Sequence, residues 1–115
     1  MEDCVFCKII AGELPCSKVF EDDRVMAFLD IAPINKGHTL VVPKAHNPSL
    51  TTVDDDDLAA MMQVAPRIGT AMMRAVDADA FNLILCNGKN AGQVVMHSHL
   101  HVVPRHANDG VRIPC

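Results

Sequence analysis

The apolar residues of this chain change their spacing along its length, and each change marks an element. In "CVFCKIIAGELP" they cluster as in a short N-terminal helix, which Gly12 and Pro15 stop. "SKVFEDDRVMAFLD" reads as two short strands around a turn at Asp22 and Asp23, and "GHTLVVPKAH" as a third strand ended by Pro43. From Asp54 to about Val76 the spacing lengthens. Leu58, Met61, Met62, Ala65, Ile68, Met72 and Val76 recur at steps of three and four, one stripe of an amphipathic helix. Pro66 should kink that helix or split it. "AFNLILC" and "HSHLHVVP" return to short strands, separated by the loop "NGKNAGQVV". One long helix, one short helix and about five strands mostly in hairpin order predict an α+β domain with a largely antiparallel sheet.

Composition narrows the function. The 115 residues are half apolar, which predicts one compact domain over 1–115. A net charge of −4 leaves no broad cationic face for a nucleic-acid polymer. "MEDCVFCKII" lacks the positive start of a signal peptide, and no apolar run is long enough for a bilayer, so no membrane partner and a cytoplasmic protein are expected. Five cysteines, an odd number, suit reduced thiols or a metal better than a disulfide framework. Asp54 to Asp57 open the long helix, where negative charge favours the dipole and can cap free amides; an acidic metal cluster is the alternative.

The stretch "MHSHLHVVPR" carries the chemistry. Alternate residues of a strand share a face, so His97, His99 and His101 point one way and Ser98, Leu100 and Val102 the other. A single histidine is usually structural. Three in register point to nucleophilic or acid/base chemistry, to metal binding, or to both. Cys4 and Cys7 form a C-x-x-C pair, and with His46 and one of the three histidines they would complete a tetrahedral zinc site. Such a site, with all its ligands from protein, would be structural and fasten the N-terminal segment to the sheet. Buried free cysteines and a redox pair remain as alternatives.

The blocks "CVFCKIIAGELP", "KVFEDDRVMAFLDIAPINKGHTLVVPKAH" and "NGKNAGQVVMHSHLHVVPR", in this order and nearly end to end, resemble the histidine triad (HIT) superfamily, most closely its Hint-like, zinc-containing bacterial branch. The resemblance implies a HIT-like fold and hydrolysis of a purine nucleoside phosphoramidate, with His99 as nucleophile and His101 as a donor to a phosphate oxygen. It implies nucleotide contacts at Asn87 and Gln93, backbone amides near Gly92 and Gln93 as further donors, and ribose hydroxyls on Asp30. A turn-capping role is the plain alternative for Asp30. Val5, Phe6, Ile9, Phe28, Leu29 and Ile31 would line a slot for the base. Cys4, Cys7, His46 and His97 would be the zinc ligands, leaving His97 to orient its strand. His38 and His106 match no catalytic position and read as structural or surface residues.

Two departures stand out. Val94 occupies the place of a serine that assists the leaving group in many Hint-like proteins, and "GVRIPC" stands where many bacterial relatives continue into a segment that packs near the dimer interface and site. The resemblance also implies a homodimer built from the long helices and strand edges. The competing readings are a dinucleoside polyphosphate hydrolase and a zinc-stabilised nucleotide-binding module without significant catalysis.

Overall fold

A computed structural model describes residues 3–115. The elements follow in the order α1 (Val5–Ile10), β1 (Lys18–Glu21), β2 (Val25–Leu29), β3 (Thr39–Pro43), α2 (Asp55–Ala75), β4 (Ala80–Ile84) and β5 (Leu100–Arg105), with short 3-10 turns at Leu50–Thr52 and Lys89–Ala91. The five strands form one sheet in the order β1-β2-β3-β5-β4, and every neighbouring pair is antiparallel.

The β1–β2 turn is built by one aspartate. Asp22 Oδ1 accepts from the backbone N–H groups of Arg24 and Val25, both at 2.8 Å, which fixes the reversal that the Asp-Asp pair predicted. Arg24 then reaches α2, donating to Asp57 at 2.8 Å with Asp54 and Asp56 within 4 Å. The acidic run therefore holds an arginine besides lying at the positive end of the helix dipole. Asp54 stands at the N-cap but its side chain makes no capping bond, a departure from the expected role.

Strand alternation sends residues to two different cores. Val25, Ala27, Val41, Leu100 and Val102 pack against Met61, Val64, Ala65 and Ile68 of α2. Met26, Phe28, Leu40 and Val42 face the opposite side, where Phe6 of α1 joins them. The sheet is thus covered by the long helix on one face and by the N-terminal helix on the other.

The stripe on α2 differs from expectation at two positions. Met62 is exposed and Val64 is buried in its place, because the sheet meets the line through Met61, Val64, Ala65 and Ile68. Pro66 does not split the helix, which runs unbroken from Asp55 to Ala75. Its missing N–H leaves the carbonyl of Met62 without a helical partner, and Met62 lies on the solvent face where water can serve. Among the described residues no helix is long and apolar enough to cross a membrane.

Candidate functional site

The segment carrying the three histidines is only partly strand. Regular pairing begins at Leu100, so His101 lies within β5 while His97 and His99 precede it. The register sets Leu40 opposite His101 and Val41 opposite Leu100, which carries the following pairs toward Pro43. Proline has no N–H to donate, and the ladder stops there. Ser98 instead gives its N–H to the carbonyl of Asn47 at 2.7 Å. The three imidazoles nevertheless line up on the α1 side of the sheet, with the rings of His99 and His101 4.9 Å apart and Phe6 edge-on to both His97 and His99.

Each ring has a proton position set by its partners. His97 Nε2 lies 2.7 Å from the carbonyl of Pro43, and a carbonyl only accepts, so Nε2 carries the proton and Nδ1 a lone pair. That lone pair faces Cys4 Sγ at 3.4 Å, Cys7 Sγ at 3.5 Å and His46 Nδ1 at 3.3 Å, while Cys7 Sγ and His46 Nδ1 are 3.3 Å apart. Tetrahedral zinc with bonds of about 2.3 Å to sulfur and about 2.05 Å to nitrogen would separate S and N by roughly 3.6 Å and two nitrogens by roughly 3.3 Å. The four donors of Cys4, Cys7, His46 and His97 fit that geometry and share one small volume. Burial pushes the Cys7 thiol up from its ordinary value, and Cys4 beside it adds to the rise. A divalent cation among the donors would reverse both effects. The Pro43 carbonyl supplies the outer hydrogen bond that orients a ligating imidazole.

His99 has the opposite tautomer. Its Nδ1 lies 2.7 Å from the carbonyl of His97 and must carry the proton, leaving Nε2 with the lone pair. His99 is 8% exposed and lines a cavity of about 470 Å³ together with His101 and Asp30. Phe6, Ile9, Phe28 and Ile31, with Val5 and Leu29, form its apolar wall, and Ile31 stands fully exposed at the rim. The cavity therefore offers a buried nucleophilic nitrogen beside a slot suited to a flat apolar group.

His38, read from sequence as structural or surface, is buried within this site. Its Nδ1 accepts from the N–H of Ile34 at 3.0 Å, so its proton sits on Nε2, which lies 2.9 Å from His101 Nδ1. His101 then holds its own proton on Nε2 as a donor. Burial lowers the pKa of His38, against the pull of Asp30 3.6 Å away. Burial first, then the neighbouring His99 and His38, pushes His101 down to about 4, which keeps it neutral at pH 7. Asp30, His38 and His101 also stand close enough to share a metal, yet a His38 ring that accepts at Nδ1 keeps Nε2 protonated, so this trio acts as a proton-ordered chain. The parity of His38 with Leu40 and Val42, which face α1, was the available signal.

Other expected contacts fall differently. Asp30 lines the cavity and also caps its own turn, with Oδ1 accepting from Ala32 N–H at 2.9 Å, the capping role offered as the plain alternative. Gln93 does not reach the cavity. Its Oε1 accepts from Gly88 N–H at 2.7 Å and its amide donates to the carbonyls of Pro48 and Val95, which makes it a staple of its own loop. Asn87 likewise accepts from Leu50 N–H at 2.7 Å, away from the cavity wall. Gly92 lines the cavity, but its N–H and that of Gln93 donate to Lys89 and Gly88 within the loop, so these amides are not the free donors expected. Val94 is 88% exposed at the cavity edge, and His106 bonds the carbonyl of Val76 far from the histidine row.

Comparison with known proteins agrees with this architecture. The family model described as HIT domain matches residues 11–108, a range that leaves Cys4 and Cys7 outside it. A relative named adenylylsulfatase HINT3 from Arabidopsis thaliana is 47% identical over 93% of this chain, which spans 54% of that protein. One named adenosine 5'-monophosphoramidase hnt1 from Schizosaccharomyces pombe is 37% identical over 89% of this chain and 74% of its own length. The crystal structure of a Zn-bound histidine triad family protein from Mycobacterium smegmatis superposes with a TM-score of 0.92 at 41% identity, covering 96% of this chain and 81% of that one. With its sheet, its helices and its histidine row in place, the chain belongs to the HIT domain family.

Proposed function

We propose that the protein is a nucleotide hydrolase that cleaves the P–N bond of a purine nucleoside phosphoramidate through a nucleotidyl-histidine intermediate. The observation that carries this reading is the ring of His99, whose Nδ1 is engaged by the carbonyl of His97 and whose Nε2 has no protein partner, lining an apolar cavity. In the first step Nε2 attacks the α-phosphorus, an N–P bond forms, and the P–N bond to the leaving amine breaks with the amine taking a proton from water. In the second, water attacks phosphorus and gives its proton to the hydroxide left by the first step, the N–P bond breaks with its electron pair returning to Nε2, and the nucleoside monophosphate leaves. His101, held as a neutral donor by His38, would hydrogen-bond a phosphate oxygen as charge grows there. Asp30 has one oxygen turned from its capping bond and is suited to a ribose diol. The apolar wall from Phe6, Ile9, Phe28 and Ile31 accepts the base.

Cys4, Cys7, His46 and His97 would hold zinc as a closed four-ligand centre that fastens α1 to the sheet. Support comes from the donor spacing and from the zinc-bound relative. Zinc supplies stabilisation there and the reaction needs only the protein's own side chains.

Hydrolysis of adenosine 5'-phosphoramidate, followed as AMP release by the zinc-loaded wild type and by His99→Asn, tests the reading. Activity in the wild type and a loss of at least about a thousandfold in the variant is expected, since the covalent route is removed. Absence of wild-type activity with nucleotide still bound would favour the binding module. The relative named an adenylylsulfatase makes adenylyl sulfate the second substrate to assay, and a dinucleoside triphosphate the third.

A further inference from the structure

Helix α1 belongs to two sites at once. Cys4, its N-cap, and Cys7 within it face His97 and His46, while Phe6 and Ile9 form part of the cavity wall. Phe6 is where the two sites touch. Its ring, 6% exposed, meets His97 edge-on at 5.8 Å, His99 at 5.0 Å and Phe28 at 5.5 Å between centroids. One buried ring thus contacts a member of the metal donor set, the imidazole whose Nε2 faces the cavity, and the wall that would receive the base. A helix of six residues cannot hold itself in water, and α1 joins no ladder of the sheet. Its seat depends on the two thiols at one side and on Phe6 and its apolar neighbours at the other.

We infer that α1 couples the two sites through Phe6: metal held by Cys4, Cys7, His46 and His97 raises the affinity of the cavity for a purine nucleotide, and bound nucleotide retards loss of the metal. The inference rests on the nucleotide and zinc readings above and deepens them. The two effects are one free energy seen from two sides, so the equilibrium affinities change by the same factor. Phe6 is a positioning residue toward His99 in this scheme, because it fixes where that imidazole stands when α1 is clamped. A ligand in the cavity presses on the same ring and holds α1 in its seat. A second depression, of about 520 Å³ and lined by Asp3, Cys4 and His46, opens beside the donor set and adjoins the cavity at Val5, Val94 and Val95.

The test uses zinc-loaded protein mixed with an excess of a coloured chelator, with and without saturating AMP, while far-UV circular dichroism reports the fold. Calorimetry gives the AMP Kd with and without zinc. AMP is expected to slow zinc transfer and, at equilibrium with the chelator, to raise zinc affinity about tenfold, the same factor by which zinc removal weakens AMP, within the usual range of coupling between sites. Phe6→Leu keeps apolar bulk but loses the ring edges; as a member of the cavity wall it should bind AMP more weakly than the wild type, so AMP is raised to saturate it, and the ratio with to without the other ligand should then be near one in both directions. A ligand that merely stabilised the whole fold would slow zinc release as much in Phe6→Leu as in the wild type, and that result overturns the inference. So does a wild type that binds both ligands with no mutual effect. A wild type that binds no AMP, or no zinc, fails the parent reading, and the inference falls with it.

Discussion

Acid should destabilise this protein through His101 in a way that one substitution removes. The folded chain keeps His101 neutral until about pH 4, whereas the unfolded chain protonates it through its ordinary value of 6.5. Between these values the unfolded state binds more protons, so stability falls as pH falls, beginning near 6.5 and ending near 4. Above that window His101 makes no pH-dependent difference. Over the whole window the loss is about 3 kcal/mol, and by pH 4.5 most of it has occurred. Other groups titrate over the same range, including the ligands of any bound metal, so the measurement is a double difference. Urea unfolding of the wild type and of His101→Gln at pH 7 and at pH 4.5 gives four stabilities. Glutamine can accept from His38 Nε2–H through its carbonyl oxygen but cannot bind a proton. The wild type should lose about 2 to 3 kcal/mol more than the variant on going to pH 4.5. Equal losses would show that His101 is not held neutral by burial and by its neighbours, and the reading of its Nδ1 as the acceptor of His38 Nε2–H at pH 7 would fall with it.

Three further outcomes follow from packing and ligation. Cys7→Ser should lower zinc affinity by more than tenfold, seen as reduced metal content after dialysis against a weak chelator, because a hydroxyl is a poor replacement for a thiolate; full retention would remove Cys7 from the ligand set. Ser98→Ala should be neutral or stabilise by up to about 1 kcal/mol, since Ser98 Oγ is buried without a hydrogen-bonding partner, and a loss above about 1 kcal/mol in urea unfolding would contradict that. Gly69→Ala would place a Cβ 2.6 Å from the ring of Phe81, so overpacking should outweigh the gain in helix propensity and destabilise by about 1 kcal/mol; a raised urea midpoint would refute it.

The local pattern of the chain already determined much of this. Short apolar runs bounded by turn residues and proline defined the strands, the three- and four-residue steps defined α2, and Asp22 with Asp23 marked the hairpin, because these signals act through backbone geometry and short-range bonds. The H-x-H-x-H spacing and the C-x-x-C pair named the side chains that gather around α1, since alternation alone sends them to one face. Only the tertiary structure decided which ring does what. His97 and His99 differ in tautomer because one meets the carbonyl of Pro43 through Nε2 and the other meets the carbonyl of His97 through Nδ1, bonds that depend on where β3 ends against β5. His38 enters the site because antiparallel pairing lays β3 beside β5, a relation 63 residues apart along the chain. Gln93 and Asn87 leave the cavity wall because the carbonyls and amides of distant loops claim their side chains first. Sequence spacing fixes which residues share a face, whereas hydrogen-bond partners are chosen by contacts between segments, and those contacts exist only once the sheet has formed.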